Sequence, residues 1–331
     1  MNFEKVLEVP KRTKVAFAAI LGLHVLGLGL LSMGAAAAAS FSLILGLGST
    51  AYLLGLRHAF DADHIAAIDN TVRRLSAEKK DSSLVGLFFS LGHSTVVLAA
   101  GLGIAAGFTF IAEMLNDDAS WLKSTGSLIG GTVAGLFLTI IAIVNTVILV
   151  QLLSSRKTSD TTNNTPKGIL TTLFAPLLKN VDKDWKMYPL GVLFGLGFDT
   201  ATSIALLAIA GGGAVLAGQS WIAIALPIIF MSGMALGDTI DSILMSKAYN
   251  YSNDIKSRTK YFIVITTLSI FAALVVGVPI LSENISNLLG VPFRLQGIEN
   301  EYLGLMIVVG FMSVWAISYL ASSLIKKMRK N

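Results

Sequence analysis

RHAFDADHIAAIDN, residues 57–70, carries one Arg, two His and three Asp in fourteen positions. The run before it, SLILGLGSTAYLLGL (42–56), is almost wholly apolar. An Asp or Arg costs about 2.5–3.5 kcal/mol at the centre of a membrane helix on insertion scales. Ionisable residues at this density, in what reads as a membrane span, need a partner or a bound cation to offset that cost.

The rest of the chain supports the membrane reading. Of its 331 residues, 54% are hydrophobic and only 14% charged. Mean hydropathy is +0.72. A soluble domain is nearer about 25% charged. The apolar residues come in runs long enough to cross a bilayer, which needs about 20 residues of helix. An all-α, polytopic helical membrane protein is the fold class that follows. The chain has no Cys, so neither a disulfide framework nor a thiolate metal site is available. The N-terminal pattern KRTK, apolar run, GAAAAAS (34–40) mimics a secretory signal. Its apolar run over 15–33 is longer than the about 7–15 residues of a signal core, so we read it as an uncleaved first span.

Eight spans are predicted, near 15–34, 41–66, 83–107, 125–153, 187–210, 220–246, 261–282 and 302–325. With both termini placed in the cytoplasm, all of the 25 basic residues except Arg57, Lys123 and Arg294 fall on the cytoplasmic side. That asymmetry is what the positive-inside rule demands, and it excludes a nucleic-acid role for the net charge of +5. Residues 1–153 form a first four-helix half that carries the charged stretch. Residues 154–186 form a cytoplasmic loop, polar at first (SSRKTSDTTNNTPKG) and then mixed apolar and basic (ILTTLFAPLLKNVDKDWK). Residues 187–331 form a second four-helix half. The outer loops carry Glu113, Asp117, Asp118, Glu283, Glu299 and Glu301. These are read first as ordinary solvated acids.

The second span holds His58, Asp61, Asp63, His64 and Asp69, and the third holds His93 in SLGHSTVVL. The fifth holds Asp199 in GLGFDTATSIALL, and the sixth Asp238 and Asp241 in GMALGDTIDSIL. His24 lies in the first, in GLHVLGLGL. Six carboxylates thus stand against the single Arg57 within the spans. Such residues normally face a bundle interior and mark an ion path. Imidazoles beside carboxylates favour a first-row transition metal over magnesium or calcium. Asp69, at the inner end of its span, reads as a helix cap or a water-facing group as readily as a functional one. His24 is as easily a packing residue as a ligand, and Asp238 or Asp241 could instead pair with Arg57.

On a regular helix His58 and Asp61 are about 60° apart, Asp63 about 140° from His58, and His64 about 120° away on the other side. One unbroken helix cannot bring all of them to one ion. Either the helix is interrupted here or the residues divide between metal, Arg57 and protons. An interrupted helix at mid-membrane is a known transporter device. Gly-rich runs such as LGLGST (45–50) are read as close helix-packing surfaces.

Four motifs resemble those of the nickel/cobalt transporter family of single-chain metal permeases: RHAFDADHI (57–65), FSLGHSTVV (89–97), LGFDTAT (196–202) and GMALGDTID (233–241). The resemblance implies eight spans, both termini inside, and high-affinity uptake of Ni2+ or Co2+ across the cytoplasmic membrane of a microbe. It implies His58, Asp63 and His64 as signature residues, with His93, Asp199, Asp238 and Asp241 in the companion motifs. In that family a His in span one and a bulky residue two after the signature His accompany acceptance of cobalt; His24 and Phe60 occupy those places. One departure stands out: Ser203 replaces the Glu that usually follows the span-five motif.

There is no GxxxxGK[ST] loop, so secondary transport is expected, with no ATPase subunit, no resident cofactor and no catalytic residues. The expected partners are the divalent metal ion and the bilayer. LGH (91–93) and LGD (236–238) hint at an inverted pair of spans. Two alternatives stay open at this point: the membrane subunit of a multi-component importer, and an intramembrane metal-dependent enzyme.

Overall fold

The computed structural model describes residues 11–37, 41–108, 110–111, 114, 117, 120–155, 183–197, 210, 212, 221–249, 255–292, 295 and 302–328. Among them the secondary structure is helical, with no strand, as the composition predicts. The helices are α1 (Lys11–Ala37), α2 (Phe41–His58), α3 (Ala62–Ala77), α4 (Val85–Ala105), α5 (Trp121–Ser155), α6 (Met187–Gly195), α7 (Ile222–Tyr249), α8 (Ile255–Leu289) and α9 (Leu303–Met328). A 3-10 turn, Asp184–Lys186, precedes α6.

Five stretches among the described residues are long and apolar enough to cross a bilayer: Lys11–Met33, Val85–Ala105, Trp121–Val147, Ile222–Tyr249 and Tyr261–Leu289. The broken pair Phe41–His58 and Ala62–Ser76 makes a sixth. Leu303–Ser318 is apolar but shorter. Most of the expected fifth span beyond Gly197, and most of the 154–186 loop, lie outside the described residues. Large apolar side chains stand outward on α1 (Leu21 63%, Val25 64% and Leu28 58% exposed), as a lipid-facing surface requires.

The chain divides into two compact units. The first comprises Met1–Phe60, Ser83–Gly131 and Asp184–Ser242. Its core gathers Ile44 and Ala51 of α2, Val97 of α4, and Leu226, Phe230 and Met234 of α7. Lipid offers no hydrophobic gain for pressing one apolar helix on another, so close packing must supply the contact energy, and small residues make it possible. A Cβ on Gly55 would lie 2.1 Å from the Phe230 carbonyl oxygen, and one on Gly233 2.7 Å from that of Tyr52. One on Gly237 would lie 2.6 Å from the Ala59 Cβ, so α2 and α7 cross backbone to backbone. Gly86 meets the Asp238 carbonyl oxygen in the same way, at 1.9 Å. At the N-terminal end of α1, Arg12 pairs with the buried Asp184 at 2.6 Å.

The second unit comprises Asp61–Ser82, Thr132–Lys183 and Ile243–Asn331. Here α3 packs against α8 and α9. Every residue from His64 to Asn70 is 0% exposed or nearly so, polar ones included. Buried polar groups need partners, and α3 finds them on three other segments. Tyr249 donates to Asp69 Oδ1 at 2.6 Å. Ser269 of α8 donates to Asp69 Oδ2 at 2.7 Å. Asn145 of α5 donates to Asn70 Oδ1 at 2.6 Å, while Asn70 Nδ2 returns to the Ala66 carbonyl at 2.7 Å. Arg73, one turn further along α3 and also buried, lies in the field of Asp69. Asp69 therefore neither caps α3 nor meets water; it anchors α3 within its unit.

Candidate metal site

The helix of the second span is interrupted inside the charged motif. α2 ends at His58. The Ala59 amide still bonds the Gly55 carbonyl at 3.2 Å, but Phe60 turns back to Arg57 at 2.9 Å. Asp61 is extended (φ −66, ψ 142) at the N-cap of α3. Asp is a favoured residue there, though its side chain makes no cap bond. Asp63, in the first turn of α3, suits the positive end of the helix dipole. The second span is therefore not one regular helix.

Within the first unit, His58 and His93 come together. Their Nε2 atoms are 2.9 Å apart, with ring centroids 4.7 Å apart and planes at 61°. His58 is 0% and His93 5% exposed. Phe230 flanks His58 at 5.6 Å between centroids. Phe89 flanks His93 at 6.4 Å and stacks edge-on with Phe194 at 5.2 Å. Two neutral imidazoles can share one proton across such a gap, or both can turn lone pairs toward a cation. Metal–nitrogen bonds of about 2.0–2.1 Å put two nitrogens about 2.9 Å apart at a right angle and about 3.4 Å apart at a tetrahedral one. The observed gap is close enough for both rings to reach one ion. His58 also ends α2, and the C-terminal end of a helix favours positive charge.

On α7, in the same unit, Asp238 is 0% and Asp241 4% exposed, with Asp238 at the close contact of α4 Gly86. Ser94, next to His93, reaches Met234 Sδ of α7 at 3.6 Å. His24 stands differently. Its Nδ1 is committed to the Ile20 carbonyl at 2.8 Å, and its Nε2 faces the Tyr52 hydroxyl at 3.4 Å. In the second unit, Asp61 and Asp63 are half-buried at the start of α3 and His64 is fully buried. Asp199 and Ser203 lie outside the described residues. The sequence reading did not single out Phe230, Phe89 or the glycines that set the crossings. The GxxxG spacings at 191–195 and 233–237 were the available signal.

An all-helical, multi-pass membrane protein with a buried imidazole pair is the class that fold and site define. The family described as NicO, high-affinity nickel-transport protein, matches residues 44–321. The chain is 40% identical to the nickel transporter NicT of Mycobacterium tuberculosis, over 93% of this chain and 88% of that one. It is 39% identical to the high-affinity nickel-transport protein NixA of Helicobacter pylori, over 95% and 96% respectively. It is 35% identical to the cobalt transport protein NhlF of Rhodococcus rhodochrous, over 92% and 90%. No solved structure matches the chain. The chain belongs to the NicO family of high-affinity nickel-transport proteins.

Proposed function

We propose that this chain is a self-sufficient secondary transporter that carries Ni2+, and Co2+ with it, across the cytoplasmic membrane into the cell. The observation that carries the proposal is the buried His58–His93 pair, closed to 2.9 Å inside apolar helices. Family membership supports nickel as cargo, and the relative named for cobalt transport supports cobalt. Asp63 and His64 join the proposed site through the HAFDADH motif, which ties them to His58 across the helix break. Asp61, His93, Asp199, Asp238, Asp241 and His24 complete the proposed ligand and relay set.

The chemistry follows from the residues. A hydrated dication entering the protein exchanges water for neutral imidazole and carboxylate, releasing protons from any ligand that holds one. Carboxylates joining the imidazoles in the proposed set would offset the charge that a low-dielectric interior otherwise penalises. An inside-negative potential supplies about 2.3 kcal/mol per elementary charge per 100 mV, so about 4.6 kcal/mol for a dication, without ATP.

The test is uptake of radiolabelled nickel at nanomolar concentration by cells expressing this chain alone. It is paired with proteoliposomes that hold a nickel indicator. Filling of the vesicles, dependent on His58 and competed by cobalt, is expected. Vesicles that stay dark while intact cells with an added ATPase component take up nickel would point to a multi-component importer and sink the proposal. Repeating the assay with Ser203→Glu reads what the departure at that position does to metal choice.

A further inference from the structure

The contact between α4 and α6 shows what holds His93 in place. A Cβ on Gly195 would sit 2.7 Å from the carbonyl oxygen of His93, 3.2 Å from its Cα and 3.2 Å from Val96 Cγ2. One turn earlier, a Cβ on Gly191 would sit 2.1 Å from the Phe89 carbonyl oxygen and 3.0 Å from the His93 amide nitrogen. From the other side, a Cβ on Gly92 would sit 2.0 Å from the Tyr188 carbonyl oxygen. Real Cβ atoms do not approach backbone so closely, so any side chain at 191 or 195 displaces the α4 backbone at or beside His93. Sliding along the interface is opposed by a second contact, the 2.9 Å hydrogen bond between the Thr95 and Tyr188 hydroxyls.

Metal–ligand distances tolerate about 0.2 Å. A backbone shift of several tenths of an ångström at His93 exceeds that tolerance. We propose that Gly195, with Gly191 one turn before it, is a positioning residue for nickel binding. It lets α6 lie against the His93 backbone and so fixes where His93 Nε2 stands relative to His58. The inference rests on the metal-site reading above.

Gly195 touches no metal in this account, so its effect must pass through His93. Nickel uptake kinetics of wild type, Gly195→Ala, His93→Ala and the double variant form a double-mutant cycle. Gly22→Ala, where nothing lies within 4 Å, is the control. Gly195→Ala is expected to raise the KM for nickel about tenfold or more, the scale of losing a supporting partner of a ligand. The maximal rate per inserted molecule should hold, and Gly22→Ala should match wild type. In the His93→Ala background, Gly195→Ala should add nothing. Nickel K-edge X-ray absorption on the purified protein should show one imidazole fewer in both single variants.

An unchanged KM in Gly195→Ala overturns the inference, as does a loss that adds in full to that of His93→Ala. Should Gly195→Ala not reach the membrane, Tyr188→Phe enters the same cycle. It adds no atoms and frees the lateral pin. A smaller rise in KM, absent without His93, supports the inference, and no rise overturns it. If His93→Ala itself transports nickel like wild type, the metal-site reading falls and this inference with it. If His93→Ala loses affinity while Gly195→Ala keeps it, only this inference falls.

Discussion

His58 closes α2 and His93 sits mid-way along α4, yet their Nε2 atoms lie 2.9 Å apart, buried and flanked by Phe230 and Phe89. The pair is 35 residues apart in the chain. It forms because glycines at 55, 86, 233 and 237 let α2, α4 and α7 meet at backbone distance.

His58→Ala and His93→Ala should each weaken nickel uptake more than the loss of an outer-shell partner does, so by about 100-fold or more in affinity. Uptake at nanomolar nickel, normalised to membrane-inserted protein, checks this. Retention of wild-type affinity in either variant would remove that imidazole from the site.

His24→Ala should be milder. One ring nitrogen is already committed to the Ile20 carbonyl and the other faces Tyr52. The nickel KM should move at least about tenfold less than in His58→Ala. Competition by cobalt, measured on the same cells, then reads whether His24 contributes to metal choice.

The polar anchor of α3 gives a stability prediction. Tyr249→Phe removes one of the two hydroxyl donors to Asp69, at a cost of about 1.5–3 kcal/mol for a hydrogen bond to a charged group. Asp69→Leu strands the Tyr249 hydroxyl and the buried Arg73, while Ser269 keeps its 2.9 Å bond to Asn70 Oδ1, and should cost about 3–5 kcal/mol. Thermal unfolding in detergent should rank the two variants in that order below wild type.

Gly86→Ala places a methyl 1.9 Å from the Asp238 carbonyl oxygen, whereas Gly29→Ala meets nothing within 4 Å. The first should yield no monodisperse protein on size-exclusion chromatography, and the second should match wild type. Equal behaviour would mean that α4 and α7 do not cross as described.

The sequence made the helical class, the charged motif and its companions readable, because each rests on local composition or spacing. It offered the helix break as one of two ways out of the geometric conflict among His58, Asp63 and His64, the other being a division of roles. The close crossings were not readable in the same way. The chain has 31 glycines, and Gly22, Gly29 and Gly46 face open space while Gly55 and Gly86 face backbone. Composition does not separate these cases; only the partner helix does. Asp69 was misjudged for a related reason. Read locally, it lies near a span end, but its donors come from residues 180 and 200 positions later.

That separation has a consequence for biosynthesis. α3 carries Asp63, Asp69, Asn70, Arg73 and Arg74 within sixteen residues, too polar to rest alone in hydrocarbon. When the ribosome delivers it, Asn145 has not been made, and Tyr249 and Ser269 are further still. The insertion machinery therefore has to shelter α3, or leave it at the aqueous boundary, until α8 emerges. α3 reaches its packed place late, in the company of partners translated long after it.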